Sequence, residues 1–289
     1  MARKNSDRLN LRQEPPSDET PPAPALTQGS NEDSIFSFVT PTEFVELPSK
    51  GEHYTESHPL HGVDTLEIRH MTAKEEDILT SESLLKKGLA LDRLLQSVIV
   101  NKSIKVNDLL IGDKNALLIA ARKTGYGPFY ETQLTCPACG DTSEQTLDLN
   151  DLKTKEPPPL PDNVTENANG NYIVHFSEYD LHVEVKLLRG SDEKMVSSKR
   201  DTRKKRKLPD ALITDQLEAI IVGVNEITDR SLIKKFATEV PALISRQLRK
   251  TYDQLTPDLD LNFDFECDEC AHLGKVGMPL TAAFFWPNA

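Results

Sequence analysis

The sequence predicts an α+β fold in which helical subdomains are joined by a small four-cysteine ribbon, behind a disordered N-terminal tail. Three observations carry that prediction. Apolar residues recur at helical spacing in two blocks, near residues 72–125 and 211–253. All four cysteines fall in two Cys-x-x-Cys pairs, each flanked by segments that alternate like strands. Residues 1–34 are rich in Pro, Ser, Asp and Glu and nearly lack branched apolar residues, so burial cannot offset the entropy of ordering them.

Order is expected to begin near Ile35, at the start of an α-rich N-terminal subdomain over residues 35–127. Residues 44–47 predict a short strand entering the turn Pro48-Ser49-Lys50-Gly51, and residues 66–68 a second strand. Thr72 and Glu75 have the spacing of a capping box. The helix they open carries Ile78, Leu79, Leu84 and Leu85, and Gly88 can end it. Leu91, Leu94, Leu95, Val98 and Ile99 keep the spacing of a core-facing helix. Asp113 reads as the cap of a third helix, which carries Leu117, Leu118 and Ala121 and ends at Gly125.

Residues 128–155 form the first half of the ribbon, with strands at 128–134 and 144–149 on either side of Cys136 and Cys139. Residues 156–170, which include Pro157-Pro158-Pro159-Leu160-Pro161, read as a stiff extended linker. Residues 171–258 are expected to hold a hairpin (172–176 with 181–187) and then a helical subdomain. That subdomain has a polar, basic helix or loop over 191–206 and helices near 211–224, 229–238 and 241–253. Asp229 suits an N-cap and Pro241 a first helical position. Residues 259–289 supply the second half of the ribbon and an aromatic C-terminus. There Leu259, Leu261, Phe263 and Phe265 alternate with polar residues and lead into Cys267.

Composition narrows the function. The 289 residues carry 34 Lys+Arg against 46 Asp+Glu, a net charge of -12, which repels nucleic acid and anionic membranes on average. There is no run of about 18 apolar residues and no apolar signal segment. The chain is therefore expected to be soluble in a reducing cytoplasm, where cysteines serve as metal ligands more often than as disulfides. Phosphate-loop, dinucleotide-binding, nucleophile-elbow and H-E-x-x-H motifs are all absent from the sequence. The expectation is a protein that is not an enzyme, with no catalytic or cofactor-binding residues and no small-molecule substrate.

The cysteines carry the sharpest expectation. Two residues between thiols let a tight turn aim both sulfurs at one ion about 2.3 Å away, and two such pairs complete a tetrahedron. Cys136, Cys139, Cys267 and Cys270 are thus read as ligands of one structural zinc ion, Zn2+. Gly140 can supply the positive φ that such a turn needs after its second ligand. The pairs lie 127 residues apart, far more than the 15–20 or so of compact fingers, so the ion would clasp two distant segments. A redox dithiol normally opens a helix, whereas polar residues and a strand follow Cys139.

Other features have milder readings. The basic run from Lys199 to Lys207 reads as a solvated segment, or as a grip for phosphate or an acidic partner. The acidic residues Asp258, Asp260, Asp264 and Glu266 read as a solvated strand face. His53, His58, His61 and His70 share one loop-rich stretch. Phe284-Phe285-Trp286-Pro287 can pack back on the ribbon or anchor a partner.

Several blocks in order also carry a resemblance. They are Val45-Glu46-Leu47-Pro48-Ser49-Lys50-Gly51 with Tyr54; Met71-Thr72-Ala73-Lys74-Glu75-Glu76-Asp77-Ile78-Leu79; Val106-Asn107-Asp108-Leu109-Leu110-Ile111-Gly112-Asp113; Arg122-Lys123-Thr124-Gly125-Tyr126-Gly127; both cysteine pairs; and the terminal aromatics. In these the chain resembles the baseplate hub-assembly family of T-even-like, contractile-tailed phages. The resemblance implies a non-enzymatic tail protein acting in assembly or structure of the central baseplate hub. It implies other baseplate and hub proteins as partners, within the host bacterial cytoplasm during assembly, and leaves open both a chaperone role and a place in the virion. Arg122, Tyr126 and the terminal aromatics are candidates for contact or core roles. The alternative is a zinc-ribbon nucleic-acid-binding or transcription-related protein.

Overall fold

The computed structural model describes residues 40–156, 159–278, 280 and 284–285. The expected tail 1–34, the onset of order near Ile35, and Trp286 and Pro287 lie outside them. Strand β1 (Thr42–Glu46) pairs antiparallel with β2 (Thr65–Arg69), both where the alternation put them. Helix α1 (Ala73–Thr80) opens as expected, with Glu75 reaching back to the Thr72 N–H at 3.0 Å. It stops short of Gly88. Ser81 is extended (φ -66, ψ 105) and a separate short α2 (Glu82–Lys86) follows. The Ser81 and Ser83 hydroxyls contact each other at 3.2 Å, and serine side chains compete with helical backbone bonding in this way. Gly88 ends α2 with φ 65.

Helix α3 (Ala90–Val98) buries Leu94, Leu95 and Val98, and Ile99 just beyond it is also buried. Helix α4 (Ile111–Tyr126) corrects the reading of Asp113. Leu110 is the N-cap, and Asp113 sits buried in the first turn. Its carboxylate accepts from Ser49 N (3.0 Å), Ser49 Oγ (2.6 Å) and Tyr54 Oη (2.7 Å). Tyr54 Oη in turn accepts from the Leu110 N–H at 3.0 Å, filling the role of the missing cap. Burial raises the Asp113 carboxyl pKa, and the bonds from Ser49 and Tyr54 oppose the rise. Tyr54→Phe is expected to cost about 2 kcal/mol, because it strips a donor from a buried carboxylate and an acceptor from a buried amide. Urea unfolding, with the midpoint lowered at unchanged slope, checks this. The helix runs past Gly125 and ends at Gly127 (φ 83).

Several contacts join α4 to the later chain, and two of them lie in its first turn. A side chain at Gly112 would collide with the Pro257 carbonyl, so only glycine lets the helix start lie against the segment leading into the second cysteine pair. The Lys114 ammonium, nearly buried, binds Asp92 of α3 (2.6 Å) and Glu193 (2.5 Å) of α5 (Gly190–Lys205).

The later chain holds a four-stranded antiparallel sheet in the order β5 (Val164–Glu166), β6 (Tyr172–Phe176), β7 (Leu181–Val185), β8 (Ile221–Val224). The β6–β7 hairpin matches its alternation, with Tyr172, Val174, Phe176, Val183 and Val185 buried. The outer strands were not anticipated. β5 lies in the stretch read as linker, and β8 replaces the expected end of the helix near 211–224. Helix α6 (Leu212–Ile220) stops at Ile220. A short apolar run such as Ile-Val-Gly-Val looks the same to periodicity in a buried helix or strand, and pairing with β7 decides the matter. Helix α7 (Arg230–Glu239) starts at Asp229, whose side chain accepts from the Ser231 and Leu232 amides (2.9 and 3.0 Å). Helix α8 (Ala242–Leu255) has Pro241 at the N-cap rather than the first helical position. A continuous apolar core takes residues from both sides of segment 156–170, Leu117, Val174 and Leu248 among them, and reaches Phe284 and Phe285.

Candidate metal centre

Two hairpins of the same build carry the cysteines. In the first, β3 (Phe129–Thr135) pairs with β4 (Thr142–Asp148), closing at Thr135 opposite Thr142. In the second, β9 (Asn262–Glu266) pairs with β10 (Leu273–Gly277), closing at Glu266 opposite Leu273. Each turn is tied by the same two backbone bonds. Cys136 N–H donates to Asp141 O (2.7 Å) and Gly140 N–H to Cys136 O (2.9 Å). Cys267 N–H donates to His272 O (3.0 Å) and Ala271 N–H to Cys267 O (2.9 Å). Gly140 takes the positive φ expected of it (78), and Ala271 takes it as well (54). An alanine there carries left-handed strain that glycine escapes. Ala271→Gly is expected to stabilise the second hairpin by about 1 kcal/mol, seen as a raised thermal midpoint.

The turns bring the four sulfurs within 4.8 Å of one another. Cys136 Sγ lies 3.7 Å from Cys270 Sγ, and Cys139 Sγ lies 3.6 Å from Cys267 Sγ. A disulfide needs about 2.05 Å. A tetrahedron with bonds of about 2.3 Å has edges of about 3.8 Å, so the spacing fits a metal ion and the donors suit a thiophilic one. Each pair gives one buried and one exposed cysteine. Behind them lies only a small apolar cluster of Leu134, Cys136, Phe265 and Cys267 with Val276 against it. Among the described residues, no other group of three or more His, Cys, Asp and Glu side chains converges this way, and no histidine joins the four.

Electrostatics within the group favours a cation. Amide hydrogens of Cys139 and Ala138 hold the Cys136 thiol down at about 6. The His272 amide lowers Cys270, but the neighbouring sulfurs and burial outweigh it and push that thiol up to about 12. Sulfurs this close disfavour one another's ionisation at Cys139 and Cys270, and a cation among them would offset that repulsion.

A family model described as T4 bacteriophage base plate protein matches residues 40–286. The chain belongs to this family. No curated protein and no solved structure matches the chain. The match in this phage baseplate protein takes in both hairpins and all four cysteines, and residues 1–39 precede it.

The other candidates in the baseplate protein divide into core and surface. Arg122 is a core residue. Its guanidinium is nearly buried and donates to the carbonyls of Phe284 (3.2 Å), Gly127 (3.3 Å) and Phe129 (3.5 Å). It also lies over the rings of Tyr126 (5.0 Å) and Tyr130 (6.0 Å). Phe284 meets Tyr130 edge-on at 4.9 Å, so Phe284 and Phe285 pack back at the root of the first hairpin. Tyr130 escaped sequence reading because its partners come from the far end of the chain. The acidic strand face is only partly solvated. Asp258 turns inward to accept from Asn115 Nδ2 (3.0 Å) and the Leu259 amide (2.8 Å), and burial raises its pKa. The basic run lies on the exposed end of α5. Lys199 pairs with Glu218 (2.8 Å) and Arg203 with Asp215 (3.2 Å).

Proposed function

We propose that this baseplate protein acts, without catalysis, in the assembly or structure of the central baseplate hub, and that Cys136, Cys139, Cys267 and Cys270 hold one structural zinc ion that stabilises it. The observation carrying the reading is the meeting of four sulfurs from two hairpins whose cysteine pairs lie 127 residues apart. Four protein sulfurs close a zinc coordination sphere, and a closed sphere is structural, since a catalytic zinc keeps a position for water or substrate. The ion would then clasp the α-rich first part of the chain to the later part and fix surfaces that dock to other baseplate and hub proteins. Those contacts form in the host cytoplasm while the tail is built. The net charge of -12 weighs against the nucleic-acid alternative.

Two measurements test the parts separately. Elemental analysis of purified protein is expected to return about one zinc per chain, and a fully folded, metal-free chain would end the zinc reading. Cells infected with phage lacking this protein should accumulate tail intermediates without a finished central hub. Complete baseplates in such cells would end the hub reading.

A further inference from the structure

Most of α5 is a helix without an interior. Beyond Asp192 it buries no residue. It leads into the run 199–207, which holds seven basic residues and one acidic. With Lys199 and Arg203 paired, Arg200, Lys204, Lys205, Arg206 and Lys207 make no ion pair among the described residues. Arg200 and Lys204 stand one helical turn apart, a like-charge spacing that weakens a helix left on its own. Just past them Leu208, Leu212 and Ile213 are 51%, 57% and 49% exposed. This end of the molecule is a cationic surface with apolar side chains set beside it.

The complementary surface is on the cysteine hairpins. Residues 128–149 hold four acidic side chains and no basic one, and residues 258–278 hold six acidic side chains and one lysine. Asp141, Glu144, Glu266, Asp268 and Glu269 are exposed. Phe129 and Leu273, on the same hairpins, are 61% and 71% exposed. Among the described residues no ion pair joins the basic run to these hairpins, so neither surface neutralises the other within one copy.

We propose that the two surfaces dock between copies of this chain, the basic end of α5 with Leu208, Leu212 and Ile213 seating on the acidic hairpins of the next copy. Opposite charge sets the approach and the register, and the exposed apolar residues on both sides supply the dry contact. The contact joins two different patches, so copies can make it reciprocally as a closed pair or head to tail as a ring or a filament. Nucleic acid fits the basic surface less well. Residues 195–213 contain no aromatic side chain to stack on bases, and Asp215 and Glu218 stand among the cations.

Sedimentation of the full chain tests this. In about 50 mM salt it should sediment as oligomers, and in about 0.5 M salt as monomer, since screening shortens the reach of exposed charges. The triple variant Lys204→Glu, Lys205→Glu, Lys207→Glu should lose association by roughly tenfold or more at low salt. The triple variant Glu144→Lys, Glu266→Lys, Glu269→Lys should lose as much, and mixing the two should restore oligomers. Melting temperature and metal content, measured on both variants, separate a lost contact from a lost fold or a lost ion. Wild-type protein that stays monomeric at low salt overturns the proposal. So does association indifferent to both variants, a mixture of folded variants that stays monomeric, or retardation of a DNA oligomer that only the basic-run variant loses while no self-association is seen.

Discussion

If the four cysteines hold zinc as proposed, Cys267→Ser is expected to release the ion and melt the paired hairpin tips, the largest local effect among the substitutions considered. Structural zinc contributes on the order of 10–16 kcal/mol of apparent binding energy in small peptides, and little else holds the tips here. Their apolar cluster is four residues with one neighbour, two of the four being cysteines. The larger core excludes them, so the loss should be local. Amides of β3 and β9 should exchange hydrogen much faster, while those near Leu94 and Leu117 keep their protection. The main unfolding transition, which reports the larger core, should move little by comparison. Cys139→Ser, at an exposed ligand, should do less. Unchanged exchange in β3 and β9 after either substitution would remove the metal from the account of stability.

Glu75→Ala should destabilise by about 2–3 kcal/mol, the cost of losing a charged hydrogen-bond acceptor while Arg69, 23% exposed, can still reach water. Glu75 is fully buried. Its carboxylate accepts from Arg69 Nη1 and Nη2 (3.0 and 2.6 Å), Ser97 Oγ (2.6 Å), Thr72 N (3.0 Å) and Thr72 Oγ1 (2.7 Å). Burial alone would raise its pKa, but the bonds from Arg69, Ser97 and Thr72 overcome that and hold it at about 2, against an ordinary value of 4.5. A depressed carboxyl stabilises the fold fully above its unfolded value. The contribution declines as pH falls below about 4.5 and is gone once pH drops below the folded value near 2. Urea midpoints between pH 7 and pH 2.5 should therefore fall more steeply for the wild type than for Glu75→Ala. Parallel curves would mean that this carboxylate does not carry the acid sensitivity.

What the sequence made legible follows from how local each signal is. The Thr72–Glu75 cap, the Asp229 N-cap, the left-handed Gly140 and the β6–β7 alternation rest on neighbours within a few residues, and each is where its pattern put it. The cysteine pairs were legible because a turn with two thiols has few other uses. Misreadings arose where a distant partner decides. Asp113 looks like a cap until Ser49 and Tyr54 arrive from 64 and 59 residues away. Ile221–Val224 looks like the tail of a helix until β7 offers it an edge. Asp258 looks solvated until Asn115 reaches it. Arg122 signalled a role without revealing which, because its acceptors are backbone carbonyls, one of them from Phe284.

The separation of the two cysteine pairs also sets a timetable for synthesis. A ribosome adds about 5–20 residues per second, so Cys136 and Cys139 exist for on the order of ten seconds before Cys267 is made. During that interval the first dithiol has no second pair with which to complete a four-sulfur set. If an ion is held by all four sulfurs as proposed, it is seated late in synthesis, after the strands of the first hairpin have been made.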